Sequence, residues 1–265
     1  MAKKHDIIWL ESIDSTNEEA RRRISELDNL SVLSAFCQTA GRGQRGNTWS
    51  AKPGENLTFS IVLKHAAGSF PEIRAIDQFA ISELTALSVI DLLAIHGIEA
   101  KVKWPNDIYV GASKICGILI EHSVREGMLS SSIIGIGLNV NQTEFDPSLP
   151  NPTSMLLQMT SMQHQLLSMT GESIDLHGII QEFMDIFTGY CTRYLNITGG
   201  LSRLRRLYLA QMWRMDEPAR YIETTDNLEF EGIIRGLSEI GHLIVEDTEK
   251  GELKEFAFKE IGYVL

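Results

Sequence analysis

Gly41-Arg42-Gly43-Gln44-Arg45-Gly46-Asn47-Thr48-Trp49 is the stretch on which the reading of this chain turns. Glycine at three of these positions lets successive N–H groups converge on one anion, because glycine adopts backbone conformations closed to other residues. Arg42 and Arg45 add permanent charge and planar donor forks suited to carboxylate or phosphate oxygens. Trp49 ends the run with a rigid apolar wall. The spacing is not that of a P-loop, since no Gly-Lys-Ser/Thr follows, nor that of the G-x-G-x-x-G dinucleotide turn. By itself such a run suits an anion-binding loop and a polar surface turn equally, and the rest of the chain has to separate the two.

The flanks read as short strands and helices. Residues 7–10 and 32–37 are β-rich, the second run leading through Gln38 into the glycine loop. Between them Ser15 and Glu18 have the S-x-x-E spacing of a capping box, and Ala20, Ile24 and Leu27 recur at helical spacing. Residues 57–63 predict another strand. Residues 71–96 predict a long amphipathic helix with Ile73, Ile76, Ala80, Leu84, Leu87 and Ile90 on one stripe and Gly97 at its end. Lys103-Trp104-Pro105-Asn106-Asp107 turns between two short strands, and residues 115–121 and 129–138 pair about Arg125-Glu126-Gly127. Connections this close predict a mostly antiparallel or mixed sheet. Residues 141–172 are irregular, with Pro147, Pro150 and Pro152, and Met155, Met159, Met162 and Met169 read as adaptable core. Helices are expected at 173–197 and 200–213. From Ala219 short strands alternate with turns, the pattern of a small SH3-like barrel.

The 265 residues suffice for one large domain and one small one, with the division expected at 1–213 and 214–265. A net charge of −11 argues against the basic face a nucleic-acid partner requires. No secretory h-region follows Met-Ala-Lys-Lys-His-Asp, and no apolar run approaches the roughly 20 residues that span a bilayer, so a cytoplasmic chain without a membrane partner is expected. Cys37, Cys116 and Cys191 include no C-x-x-C pair and read as buried reduced thiols. The histidines, His164 and His177 among them, lack metal-ligand spacing, so no metal ligand is assigned.

Five patterns stand in order along the chain. They are Asp14-Ser15-Thr16-Asn17, Gln38 with the 41–49 loop, Lys103-Trp104-Pro105-Asn106-Asp107, Lys114-x-x-Gly117-Ile118-Leu119, and Gly135-Ile136-Gly137-Leu138-Asn139. Together they resemble the biotin protein ligases over nearly the whole length, small barrel included. The resemblance implies an α/β (α+β) fold: a mixed-sheet catalytic domain like that of the class II aminoacyl-tRNA synthetases, followed by an SH3-like β-barrel. It implies an enzyme that joins biotin and ATP into biotinoyl-5′-adenylate and releases pyrophosphate, with Mg2+ serving that step. The biotinoyl group then passes to a lysine of the biotin carboxyl carrier domain of a biotin-dependent carboxylase. Strand-rich edges make a homodimer plausible.

The residue types suit such chemistry. The biotin carboxylate and the α-phosphate repel each other, and fixed cations in a partly dry site bring them together. Arg42 and Lys114 are the candidate catalytic cations. Asp107 completes the catalytic set, either orienting or deprotonating the incoming lysine amine or simply serving as a turn aspartate. Ser15, Thr16, Asn17 and Gln38 look like a ureido-recognition set, hydroxyls and amides supplying donors and acceptors, although Ser15 is equally a helix cap. By resemblance Gly41, Arg42, Gly43, Gln44, Trp49, Lys114 and Gly117 complete the biotin-binding positions. Arg42, Arg45, Gly46, Lys103, Asn106 and Asn139 resemble ATP-binding positions, with the Pro-Asn-Asp turn as the other role for Asn106.

Two departures from the family pattern stand out. Gln44 and Asn47 occupy loop positions where many members carry a basic residue, which shifts weight to Arg42 and Arg45. Some ligases also carry a winged-helix DNA-binding domain and act as repressors. Here the catalytic pattern starts within the first fifteen residues, so no repressor activity is expected. The alternatives are a lipoate or octanoate ligase of the same fold, whose signature of consecutive glycines after an Arg-Arg pair is absent, and a non-catalytic binding module.

Overall fold

The computed structural model describes residues 5–65, 72–159, 173–195 and 197–264, without the Arg45 side chain. The first seven strands form one sheet: β1 (Ile7–Ile13), β2 (Val32–Gln38), β3 (Leu57–Lys64), β4 (Lys101–Lys103), β5 (Asp107–Val110), β6 (Ser113–Arg125) and β7 (Met128–Leu138). Their order is β1-β2-β3-β7-β6-β5-β4. Only β1 and β2 run parallel, because helix α1 (Thr16–Arg22) carries the chain between them; every other pair is antiparallel. The sheet is mixed, as the short connections imply. The β6–β7 hairpin closes through Glu126 and Gly127, both at positive φ, as a tight two-residue turn requires.

Alternation along the strands divides the sheet into two faces. Leu57, Phe59, Ile61 and Leu63 of β3 and Ile134, Ile136 and Leu138 of β7 point into the main core. Val62 and Ile133 point the other way and meet Ala20, Leu27 and Leu33 beneath α1. Helix α2 (Phe79–Ile95) covers the main-core face. Helices α4 (Leu176–Tyr190) and α5 (Gly200–Ala210) pack on its outer side, and a short α3 (Met155–Gln158) precedes them.

Helix α2 departs from the expected one-sided helix. It starts at Phe79 after a 3-10 turn at Ala75–Asp77, and Pro71 lies outside the described residues. Sandwiched between the sheet and two helices, it is buried nearly all round, including Glu83, Thr85 and Ser88. The Thr85 and Ser88 hydroxyls donate back to the Ile81 and Leu84 carbonyls, which satisfies them inside the core. By length and composition Ala75–Ile95, with mean hydropathy 1.6, is apolar enough to cross a membrane, contrary to the expectation from sequence. Two-thirds of it is buried inside the molecule, so its apolar character is spent on the core.

The capping box is also not formed. Ser15 is the N-cap of α1, yet its hydroxyl caps nothing. Asp14 Oδ1 accepts the Ser15 N–H at 2.8 Å, which leaves Glu18 free to pair elsewhere. Arg22 grips both Asp14 oxygens at 2.8 Å and holds that carboxyl well below the usual carboxylate range.

A second, all-antiparallel sheet follows: β8 (Pro218–Glu223), β9 (Leu228–Leu237), β10 (Leu243–Asp247), β11 (Glu252–Phe256) and β12 (Ile261–Tyr263), ordered β11-β10-β9-β8-β12. It is tied to the first. Trp104 Nε1 donates to Gly241 O at 2.9 Å, and Arg205 donates to Ser238 O while pairing with buried Glu83. Cys116 and Cys191 are buried, whereas Cys37 is only half-buried. His177 packs against Trp9 with ring centroids 4.1 Å apart and the planes tilted by 43°; His164, Met162 and Met169 lie outside the described residues.

Ser132, fully buried on β7, bridges two imidazoles, at 3.1 Å from His65 Nε2 and 2.8 Å from His122 Nδ1. Burial pushes both pKa values down, that of His122 to about 4. The folded chain thus binds fewer protons than the unfolded one between the unfolded histidine value of about 6.5 and pH 4. Stability is lost as pH falls through that window. Melting curves from pH 7 to 4.5 should show a shallower decline in His122→Gln than in the parent chain; equal slopes would remove the pair from the acid response.

Candidate active site

The same alternation that fills the core leaves a groove on the opposite face. Gly135 and Gly137 of β7 and Gly117 of β6 fall on that face. A Cβ on Gly137 would sit 2.5 Å from Trp49 Nε1, one on Gly117 2.9 Å from Trp49 Cζ3, and one on Gly135 3.0 Å from Asn17 Cγ. Glycine is therefore required at three sheet positions so that α1 and the 41–49 loop can approach the strands. The result is a cleft of about 780 Å³ lined from α1, the loop, β5, β6, β7, residues 145–152 and Phe258 and Lys259 in the turn between β11 and β12.

A β-bulge aims Lys114 into this cleft. Ile108 pairs with Cys116 but Tyr109 pairs with Lys114, so Ile115 is extra. Without it, Lys114 would share the buried face of Cys116; with it, Lys114 shares the face of Gly117. Its Nζ lies 2.7 Å from Asp107 Oδ1 and 5.6 Å from the Trp49 ring centre. The bulge is held from both sides: Ile115 O accepts from Asn139 N, and the Lys114 backbone exchanges hydrogen bonds with Asn151 and Thr153.

The polar floor lies at the start of α1. Thr16 donates from both N and Oγ1 to Gln38 Oε1, at 2.8 and 3.2 Å. Ser60 Oγ, fully buried on β3, sits 2.7 Å from Thr16 Oγ1 and 2.6 Å from Asn17 Oδ1. Asn17 Nδ2 donates to Glu121 Oε2 at 2.9 Å.

The loop folds as a small hairpin. Arg42 bridges Thr48, Gly43 N donates to Asn47 O, and Gly46 takes φ +88° at the 3-10 turn Gln44–Gly46. Arg42 also lines the cleft. It pairs with Glu18 and approaches Glu121 at 3.5 Å. To act as the expected cation over the reacting anions it would have to exchange these carboxylates for substrate oxygens, as Lys114 would exchange Asp107.

Lys103 is placed elsewhere. It is absent from the cleft lining, and its Nζ packs over the rings of Tyr109, Tyr263 and Trp213 at 4.6, 5.0 and 5.6 Å while donating to Tyr109 Oη. Burial lowers its pKa to about 8. The residue joins the two sheets as a caged cation. The Arg45 side chain lies outside the described residues, although its neighbour Gly46 lines the cleft.

The structure brings Ser15, Thr16, Asn17, Gln38, Arg42, Gly43, Gln44, Gly46, Trp49, Asn106, Asp107, Lys114, Gly117 and Asn139 together around one cleft. Gly41 stands behind it, its backbone oxygen accepting from Trp49 N. Asn106 both closes its turn and clamps β6, its Nδ2 donating to Ile118 O at 2.8 Å. Sequence reasoning missed Ser60 and Glu121. The period-2 run Gly117, Leu119, Glu121 would have put Glu121 on the cleft side. Residues 145–152, Phe258 and Lys259 reach the cleft through tertiary packing and carry no local signal.

Among the described residues, three buried polar atoms in this cleft have no partner: Gln44 Oε1, Trp49 Nε1 and Asn139 Oδ1. Two acceptors and a donor left unpaired are costly unless a ligand completes them. They fit a molecule carrying both donors and acceptors.

Residues 9–139 match the model of the biotin/lipoate A/B protein ligase family. The chain is 30% identical to the biotin–[acetyl-CoA-carboxylase] ligase of Paracoccus denitrificans, over 88% of this chain and 90% of that one. It is 29% identical to the bifunctional ligase/repressor BirA of Bacillus spizizenii, over 92% of this chain and 70% of the relative. Among solved structures it resembles the biotin protein ligase from Aquifex aeolicus in complex with biotin and ATP, with TM-score 0.72, 25% identity and 97% of both chains covered. The chain belongs to the biotin/lipoate A/B protein ligase family, alongside its biotin ligases.

Gly137→Ala tests the packing at the centre of the cleft. The added methyl displaces Trp49, which is half-buried and can swing outward, so folding stability should change by less than about 2 kcal/mol. Biotin affinity should fall at least roughly tenfold, because the displaced ring enters the ligand space. Calorimetric titration and thermal melting of the same variant check both halves; unchanged affinity would show that Trp49 does not shape the site.

Proposed function

We propose that this chain is a biotin protein ligase that forms biotinoyl-5′-adenylate from biotin and ATP and transfers the biotinoyl group to a lysine of a biotin carboxyl carrier domain. The observation that carries the reading is Lys114, turned by the bulge at Ile115 into a cleft whose floor offers both donors and acceptors. The paired hydroxyls and amides of Thr16, Gln38, Ser60 and Asn17 suit a ureido head, which has one carbonyl and two N–H groups.

In the first half-reaction a biotin carboxylate oxygen attacks the α-phosphorus and pyrophosphate leaves. Lys114 is the cation placed to lie between carboxylate and phosphate, offsetting their repulsion and the charge developing at phosphorus. In the second, the carrier's lysine amine attacks the acyl carbon and AMP leaves. Asp107 then orients that amine and takes its proton. Asn139, with an unpaired acceptor, and Asn106 serve the nucleotide end. Magnesium, which the resemblance implies, would be held here mainly by the substrate phosphates, since among the described residues no three His, Cys, Asp or Glu side chains converge. The steps above rest on this chain's own groups and its substrates.

The test is pyrophosphate release that requires both biotin and ATP, followed by transfer of labelled biotin to a carrier domain. Lys114→Ala should slow pyrophosphate release by roughly 10²–10³-fold without unfolding the chain. Wild-type rates in that variant, or turnover of lipoate in place of biotin, would overturn the reading.

A further inference from the structure

We infer that Glu121 is a positioning residue that sets the hydrogen-bond polarity of the ureido pocket through Asn17, an inference that rests on the biotin reading above. Glu121 lies between three donors. Its Oε2 accepts from Asn17 Nδ2 at 2.9 Å, and its Oε1 accepts from Arg21 Nη2 at 2.5 Å with Arg42 Nη2 at 3.5 Å. Glu18 faces the same two guanidiniums, with Arg21 Nη1 at 2.6 Å, so two carboxylates and two arginines alternate in a closed ring. An ionised carboxylate only accepts. The Asn17 amide nitrogen must therefore face Glu121, and Leu119 O at 3.3 Å reinforces that choice.

The consequence runs through the buried floor. With its nitrogen committed, Asn17 presents Oδ1 to Ser60 Oγ, over Gly135. At the far end the Thr16 backbone N–H, a donor only, fixes Gln38 Oε1, so the Gln38 amide nitrogen is the group left to donate. A ureido head reads this as acceptors at Asn17 and Thr16 for its N–H groups and a donor at Gln38 for its oxygen. Replacing Glu121 with glutamine keeps the shape but reverses one end. Two guanidiniums claim the new amide's oxygen, its nitrogen turns to Asn17, and Asn17 rotates to present a donor to Ser60 and the cleft. A buried site built for one hydrogen-bond pattern discriminates strongly against the reversed one.

The experiment compares biotin with its cyclic-carbamate analogue, in which a ring oxygen replaces the ureido N–H that faces Asn17, using pyrophosphate release by the full chain. Glu121→Gln should lower kcat/KM for biotin tenfold or more and narrow the biotin-to-carbamate ratio by a similar factor, with the KM for ATP within about twofold. The double variant Asn17→Asp/Glu121→Gln gives the new amide nitrogen at 121 a carboxylate oxygen to donate to and restores an acceptor toward Ser60, so it should recover the ratio. That recovery also supports the inference should the single variant fail to fold. Proportional loss on both substrates, an unchanged ratio, or a folded double variant without recovery overturns it. A wild-type chain that ignores biotin sinks the ligase reading itself and this inference with it, whereas an active wild type with an unmoved ratio sinks only the inference.

Discussion

One extra residue in β6 decides which face of the sheet carries the charge. A strand with strict alternation would send Lys114 into the core beside Cys116, where an ammonium costs several kcal/mol to bury. Ile115 absorbs the shift and restores apolar burial on one side while freeing Lys114 on the other. The irregularity is locked by backbone hydrogen bonds from Asn139, Asn151 and Thr153, three residues that arrive from the end of β7 and the segment after it. Cleft wall and cleft cation are thus one construction, and the bulge cannot relax without unpairing both.

The charge arrangement follows a similar logic. A chain with net charge −11 has to hold two anionic substrates, and it does so with cations already matched to carboxylates: Lys114 to Asp107, Arg42 to Glu18 and Glu121. The two matches differ in kind. Arg42 sits in a ring of four alternating charges that also fixes a buried amide, so releasing it disturbs several hydrogen bonds at once. Lys114 has one acidic partner, and a partly exposed pair of that sort contributes only about 0–1 kcal/mol. Substrate oxygens can take over Lys114 cheaply and Arg42 only at greater cost.

The sequence made the sheet's mixed character and most strand positions readable, because turns such as Glu126-Gly127 and the alternating runs beside them are local signals. The glycines of Gly135-Ile136-Gly137 and Lys114-x-x-Gly117 were legible as motifs, but their purpose, close approach of Trp49 and Asn17, depends on elements far away in the chain. Helix α2 misled because burial on every side erases the stripe on which a helical pattern depends. The capping box failed through competition: Asp14, one residue earlier, reaches the Ser15 N–H first. The contacts of Arg42 and Lys103 were not legible, because tertiary packing sets them: Arg42 lines the cleft while paired with Glu18 and Glu121, and Lys103 lies outside the cleft lining over Tyr109, Tyr263 and Trp213.

The Lys114–Asp107 contact also bears on how the two half-reactions of the proposed enzyme are ordered. While the pair is closed, Asp107 is engaged with an ammonium 2.7 Å away and is a poor acceptor for a second one. Binding of carboxylate and phosphate draws Lys114 toward them, since two anions outcompete one. Asp107 is then left without its cation on the edge of the cleft, beside Gly117 with which it pairs in register. In the proposed reaction Asp107 is thus open to the carrier amine only once the adenylate occupies Lys114. A single ion pair of little intrinsic strength is sufficient for this, because what matters is which partner Lys114 has at each stage and not how tightly it holds either.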